Sequence, residues 1–214
     1  LETAEADLDI EAGIVRVNGA PDVSISLGEL AIKLTPPSST RVPKGFDPIL
    51  EATSFEGSSG SPIASGTNVA EVEVDIGTGE VKVLRYSVAH DCGVMINPTI
   101  VHGQIVGGVV HGIGNALFER MIYDDQGQPL TMNYGEYLLP LASEMPRIDV
   151  AHIETPSPLN SLGVKGAGEG GTIPAAAAII AAIENALEEF SVEIDYYPVD
   201  PQYLTGLLEA SVAS

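Results

Sequence analysis

A single cysteine, Cys92, is all that 214 residues contain. That excludes an internal disulfide framework and points to a reducing compartment, so a cytoplasmic protein is expected. It also excludes an iron–sulfur cluster held by this chain alone, which needs about four cysteines. Positive charge is scarce as well: 9 Lys and Arg stand against 30 Asp and Glu, a formal net charge of −21. Nucleic acid and anionic membrane surfaces both repel such a chain. The acids are scattered, so they form a solvated acidic surface and not a tail. An anionic cofactor must then be held by local N–H groups, or by positive charge from elsewhere. No apolar run is long enough to span a membrane, and the alanine-rich one ends in Glu184, Glu188 and Glu189. No two histidines have His-x-x-x-His spacing. His90, His102, His111 and His152 therefore read as structural, and no metal ligand is assigned. The start, Leu1-Glu2-Thr3-Ala4-Glu5, has neither an initiator Met nor the segments of a signal peptide, and reads as the interior of a longer polypeptide.

The chain is long enough to bury a real core, as one domain or two. Asp7-Leu8-Asp9-Ile10 and Ile14-Val15-Arg16-Val17 flank a turn at Gly13, a small hairpin. Ser26 and Glu29 have capping-box spacing, which predicts a short helix over 27–34, stopped by Thr35-Pro36-Pro37. The stretch from there to Gly66 is rich in Pro, Gly and Ser, and Gly57-Ser58-Ser59-Gly60-Ser61 reads as a flexible loop. Ala70, Val72, Val74 and Ile76 alternate with polar partners, then Gly77-Thr78-Gly79 turns the chain into an apolar strand over 80–90. Asn97-Pro98 caps a helix over 98–118 that carries five glycines. Each glycine costs about 1 kcal/mol in a helix interior, so close approach of a helix, strand or ligand is expected there. A second hairpin is expected over 121–134, strands over 147–154 and 191–197, and a terminal helix over 201–208 with a frayed end. Together these elements predict an α+β fold, with mixed sheets and hairpins packed against a Gly-rich helix and an Ala-rich helix. Residues 1–66 form the N-terminal segment and residues 67–214 the segment that carries the chemistry.

That chemistry is placed at Gly163-Val164-Lys165-Gly166-Ala167-Gly168-Glu169-Gly170-Gly171-Thr172-Ile173-Pro174. Five glycines surround one carboxylate. The run Ala175-Ala176-Ala177-Ala178-Ile179-Ile180 follows as a buried helix, with Pro174 in its first turn. Without Cβ atoms the loop can approach a ligand closely, and the first-turn N–H groups favour negative charge. Glu169 then stays ionised, available as a base. On its own such a loop is more often a tight connection than an active site. Gln104, whose amide donates and accepts, is the polar residue of the Gly-rich helix best suited to a pterin edge or a phosphate. Lys165 reads as solvated by default, with a cofactor phosphate as the other reading.

The order and spacing of several segments carry a resemblance. They are Asp91-Cys92-Gly93-Val94-Met95-Ile96-Asn97-Pro98, then Gly103-Gln104-Ile105-Val106-Gly107-Gly108, His111-Gly112-Ile113-Gly114-Asn115-Ala116-Leu117-Phe118-Glu119, Tyr137-Leu138-Leu139-Pro140, Thr155-Pro156-Ser157-Pro158 and the Gly-rich loop. The chain resembles the C-terminal part of the molybdopterin-binding large subunit of the xanthine oxidase, aldehyde oxidase and aerobic carbon monoxide dehydrogenase family, from the first hairpin to about Leu187. Glu136 departs from the family, which usually has Asp before that tyrosine.

The resemblance implies part of a molybdenum hydroxylase that oxidises a small organic or C1 substrate with water-derived oxygen. It implies Glu169 as the base on Mo–OH, and Gln104, Lys165, Gly166, Ala167 and Gly168 at the cofactor. The pterin dithiolene holds the metal, so no side chain needs to. The cofactor is expected in its cytosine dinucleotide form, shared with an N-terminal remainder of the subunit, with FAD and [2Fe–2S] clusters on partner domains or chains. Alone, the chain is expected to be inactive and prone to self-association. The alternative is a non-catalytic fragment or partner-binding module of the same fold. A third reading, an unrelated phosphate-binding domain, requires nucleotide binding by this chain alone. The residues that choose the substrate lie mostly outside this segment.

Overall fold

The structure is a computed structural model. It describes residues 1, 3–35, 42, 45, 47, 49–51, 53, 55, 57 and 59–212. By contacts the chain forms two compact units, Leu1–Phe55 and Glu56–Ser214. The sequence pattern places its division at 66/67.

The first unit is built on a three-stranded antiparallel sheet. β1 (Leu8–Glu11) pairs with β2 (Ile14–Val17) in the register Leu8↔Val17, as the hairpin pattern implies. A third strand, β3 (Ala20–Ser26), pairs with β2 through a register shift at Arg16/Val17. The sequence pattern does not reveal it, because Pro21 and Asp22 suit a loop as well as an edge strand. α1 (Leu27–Leu34) starts as expected: the Glu29 N–H donates to Ser26 Oγ at 3.1 Å, and the Ser26 N–H donates to Glu29 Oε2 at 3.1 Å. The stop expected at Pro36-Pro37 lies outside the described residues, as does Ser58 of the expected flexible loop. Ser59 of that loop is tied down, its N–H donating to the Leu159 carbonyl at 3.1 Å.

The second unit is organised by β5 (Val81–Asp91), the middle strand of a mixed sheet. β4 (Ser65–Val74) pairs with it antiparallel, and β6 (Arg147–Ile153) pairs with it parallel from Arg85↔Arg147 to Asp91↔Ile153. β4 begins at Ser65 and ends at Val74, earlier at both ends than its alternation suggests. Tyr86, Val88 and His90 are the buried side of β5.

α2 (Pro98–Leu117) is the Gly-rich helix, and Asn97 Oδ1 accepts the Ile100 N–H at 3.1 Å to cap it. α3 (Ala175–Ala186) is the Ala-rich helix, and α4 (Pro201–Val212) closes the unit. α3 packs on β4 and α2, and α2 also meets β6. The core runs through Ile105, Val109 and Ile113 of α2, Ile179 and Ile183 of α3, and Leu204 of α4. Two of the α2 glycines account for the close approach. A Cβ on Gly112 would collide with the Ala175 Cβ, and one on Gly108 would stand 3.0 Å from Gly171 Cα. Gly103 and Gly107 face open space, so packing does not account for them.

Three expectations need correction. Residues 121–134 form no strand ladder, only the isolated bridge Tyr123↔Pro129 with two flanking hydrogen bonds, Asp124 N–H to the Gln128 carbonyl at 2.9 Å and Leu130 N–H to the Ile122 carbonyl at 2.7 Å. The ladder goes no further because side chains take the next strand donors, Thr131 Oγ1 accepting the Ile122 N–H at 2.9 Å and Glu136 Oε2 the Met132 N–H at 2.6 Å. Residues 191–197 form no strand either. Their N–H groups go to side chains, Ile194 to Glu184 Oε1 at 2.8 Å and Asp195 to Tyr203 Oη at 3.2 Å. α4 continues to Val212 rather than stopping at Leu208. No helix among the described residues is long and apolar enough to cross a membrane.

Candidate functional site

Glu169 stands at a cavity of about 490 Å³. One wall is residues 63–66 at the start of β4, another is the loop 166–170, and Ile173, Pro174 and His90 complete it. The loop is positioned by the segment before it. Asn160 clamps Val164 twice, its Nδ2 donating to the Val164 carbonyl at 2.9 Å and its Oδ1 accepting the Val164 N–H at 3.0 Å. The Lys165 N–H donates to the Cys92 carbonyl at 2.7 Å, and the N–H groups of Val94 and Ser157 share the Gly163 carbonyl at 3.1 and 3.0 Å. The loop thus hangs from the end of β5.

Asp91 is the joint. Its Oδ1 accepts the N–H groups of Gly93 at 2.8 Å and Thr155 at 3.2 Å, and its Oδ2 takes the Lys165 ammonium at 3.0 Å. The Gly93 N–H first, then Lys165, hold its carboxyl well below the usual carboxylate range. The two side chains are 15% and 13% exposed. Lys165 is therefore not the solvated lysine read from the sequence. Its charge is committed to Asp91, and it is not among the residues that line the cavity.

Past Lys165 the backbone is open. Among the described residues the N–H groups of 166–169 have no hydrogen-bond partner. Four consecutive free donors at a cavity are what an acceptor-rich group requires. The helix-terminus expectation is corrected in one respect. Pro174 is the N-cap and α3 begins at Ala175, while the Thr172 and Ile173 N–H groups are used by the Glu169 carbonyl at 3.0 and 3.1 Å. The free donors at the cavity belong to the loop, since the cavity's lining stops at Pro174, before the first turn of α3. The Glu169 side chain is exposed, and no hydrogen bond or ion pair among the described residues engages its carboxylate. Gln104, also exposed, comes to the loop from α2: its Nε2 lies 3.8 Å from where a Gly168 Cβ would be. The structure thus brings Gln104, Gly166, Ala167, Gly168 and Glu169 together. These residues fit the acceptor-rich edge of a large cofactor, through open N–H groups, an amide and a loop without bulk.

His90 is not legible as a site residue in the sequence, where the four histidines read as separate. Its ring is 6.5 Å from that of His152, its register partner across β5–β6, and His102 on α2 is 5.7 Å from His152. Parallel pairing of distant strands leaves no local signal that could show this. His90 is 2% exposed, and burial, then His152, push its pKa below the usual histidine range. Among the described residues no cluster of three or more His, Cys, Asp or Glu is placed to hold a metal ion.

Residues 1–146 match the family model of the molybdopterin cofactor-binding domain. The nicotine 6-hydroxylase large subunit of Paenarthrobacter nicotinovorans is 41% identical over 202 residues, covering 94% of this chain and 25% of that protein. The carbon monoxide dehydrogenase large chain of Hydrogenophaga pseudoflava is 33% identical over 192 residues, 90% of this chain and 23% of the relative. Among solved structures, quinoline 2-oxidoreductase from Pseudomonas putida 86 superposes with a TM-score of 0.88 at 39% identity, over 97% of this chain and 26% of that one. The chain spans about a quarter of the length of these relatives.

Proposed function

Because the chain belongs to the molybdopterin cofactor-binding domain family, we propose that it forms part of a molybdenum hydroxylase in which Glu169 is the base. The reading is carried by one observation, an unengaged carboxylate at a cavity whose adjoining backbone offers four free N–H groups. Gln104 and the N–H groups of 166–168 hold the cofactor edge, and Lys165, its charge committed to Asp91, fixes the start of the loop. Bound there, the molybdenum cofactor, in its cytosine dinucleotide form, supplies the two-electron redox chemistry. With the cofactor bound, Glu169 would accept the proton that the oxygen nucleophile must lose. Gly168 leaves Glu169 room, since a Cβ there would have only Gln104 Nε2 near it, at 3.8 Å.

The substrate is a nitrogen heteroaromatic ring. Two similar proteins bear names that refer to nicotine and quinoline. The exposed side chains of Ile63 and Ile173 give the cavity apolar walls against which a flat ring can lie. Iron–sulfur and flavin partners carry the electrons away. Support comes from relatives named as the large subunit of a hydroxylase and as one subunit of a dehydrogenase complex.

Glu169→Gln tests the reading, since it keeps size and polarity and removes basicity. In the assembled, metallated enzyme, turnover of a heteroaromatic substrate falls by at least about 100-fold, the low end of what a positioned base contributes. Molybdenum content and the unfolding midpoint stay at the parent values. Turnover within a few-fold of the parent, at equal molybdenum content, removes Glu169 from the role.

A further inference from the structure

We propose that His90 is a positioning residue for Glu169: its uncharged ring is the floor on which the loop 166–170 rests, and only glycine at position 170 fits above it. The inference rests on the reading of Glu169 as the base. Its structural half can be tested without any cofactor.

The loop is held at its two ends. Lys165 and Val164 fix the start, and the N–H groups of Thr172 and Ile173 fix the finish on the Glu169 carbonyl. Between them the single backbone hydrogen bond is a long one, Gly170 N–H to the Ala167 carbonyl at 3.4 Å. Hydrogen bonds thus pin the Glu169 carbonyl on one side, and on the other side the Gly170 Cα is packed against His90. A Cβ on Gly170 would collide with His90 Nε2 and stand 2.7 Å from Cδ2, with the Ile105 side chain 3.2 Å away. Glu169 is the next residue, so any lift of Gly170 moves its carboxylate.

The choice of histidine needs explaining too. Nδ1 and Nε2 of His90 are buried with no partner among the described residues, and those of His152 are the same. An apolar side chain would fill this part of the core without stranding two polar atoms. What a flat, rigid five-membered ring provides is a thin surface that a glycine backbone can lie against. The ring must also remain uncharged. His152 faces it from β6, Asp91 follows it on β5, Glu169 lies above it, and His102 reaches only as far as His152. A proton on His90 would have no acceptor in contact with it.

Hydrogen exchange at the amides of positions 170, 172 and 173, on the chain as it stands, reads the loop directly. His90→Ala and Gly170→Ala each accelerate exchange at these three amides by about 10-fold or more, while β5 amides change only as global stability does. The double variant exchanges more slowly than either single one, because the methyl added at position 170 occupies the space the ring has left. If His90→Ala does not fold, His90→Leu keeps the core filled and loses the flat floor, and the same amides accelerate about threefold. In the assembled enzyme, His90→Leu lowers kcat by about 10-fold with KM held within twofold, since a misplaced base affects the chemical step. Uniform acceleration across the sheet, or single effects that simply add in the double variant, overturns the proposal and makes His90 ordinary core packing. An inert Glu169→Gln exchange defeats the base assignment instead, and leaves the loop measurement to be judged separately.

Discussion

Asp91 does the most for the site of any single residue, although it takes no part in the chemistry. It joins the end of β5, the turn at Gly93, the approach at Thr155 and the loop at Lys165. Because its pKa in the folded state is depressed, it stabilises the fold above its ordinary value and ceases to do so as pH falls through the folded one. Asp91→Asn is therefore less stable than the parent at neutral pH, and the gap closes only below roughly pH 4, where an ordinary Asp begins to take up its proton. Urea titrations of both proteins at several pH values check this; a gap that does not change with pH disproves it. This residue marks a limit of reading the sequence. Glu169 and Gln104 can be found as polar groups among glycines. The partnership of Lys165 with Asp91 cannot, because 74 residues separate them and nothing local distinguishes a paired lysine from a solvated one.

At the scale of elements, what is legible is whatever is decided within a few residues. The Ser26–Glu29 box, the Asn97 cap and the alternation in β4 each settle their own neighbourhood. What fails depends on a partner. β3 needs β2, and residues 191–197 look like a strand but have no neighbour to pair with. The glycines of α2 look alike in the sequence and separate in the structure. Gly112→Ala forces a methyl into Ala175 and costs about 1–3 kcal/mol, the usual range for overpacking. Gly107→Ala meets nothing and gains about 0.5–1 kcal/mol by removing backbone entropy from the unfolded chain. Denaturant midpoints of the two variants should move in opposite directions. If both are destabilised, the open face of α2 is not open.

At the scale of the molecule, two features oppose each other. The irregular stretch after α2 exposes Met121, Tyr123, Leu130, Met132, Tyr134 and Leu141, a run of apolar surface with no cover among the described residues. The net charge of −21 keeps copies apart. Raising ionic strength from about 0.01 M to 1 M shortens the screening length from about 30 Å to about 3 Å and removes the repulsion without weakening the apolar attraction. Self-association of the isolated chain should therefore rise with salt. Sedimentation at two salt concentrations checks it, and a monomer under both conditions disproves it.

The cavity beside Glu169 also has a history in time. Its walls come from the beginning of β4, the end of β5 and the approach to α3. These are pieces of chain that a ribosome releases far apart, and the parallel pairing of β6 with β5 must close between them. While the polypeptide is still emerging there is no receptacle at all. On the proposed function, a prosthetic group finds its walls here only once the sheet is complete, so folding comes first and filling comes second.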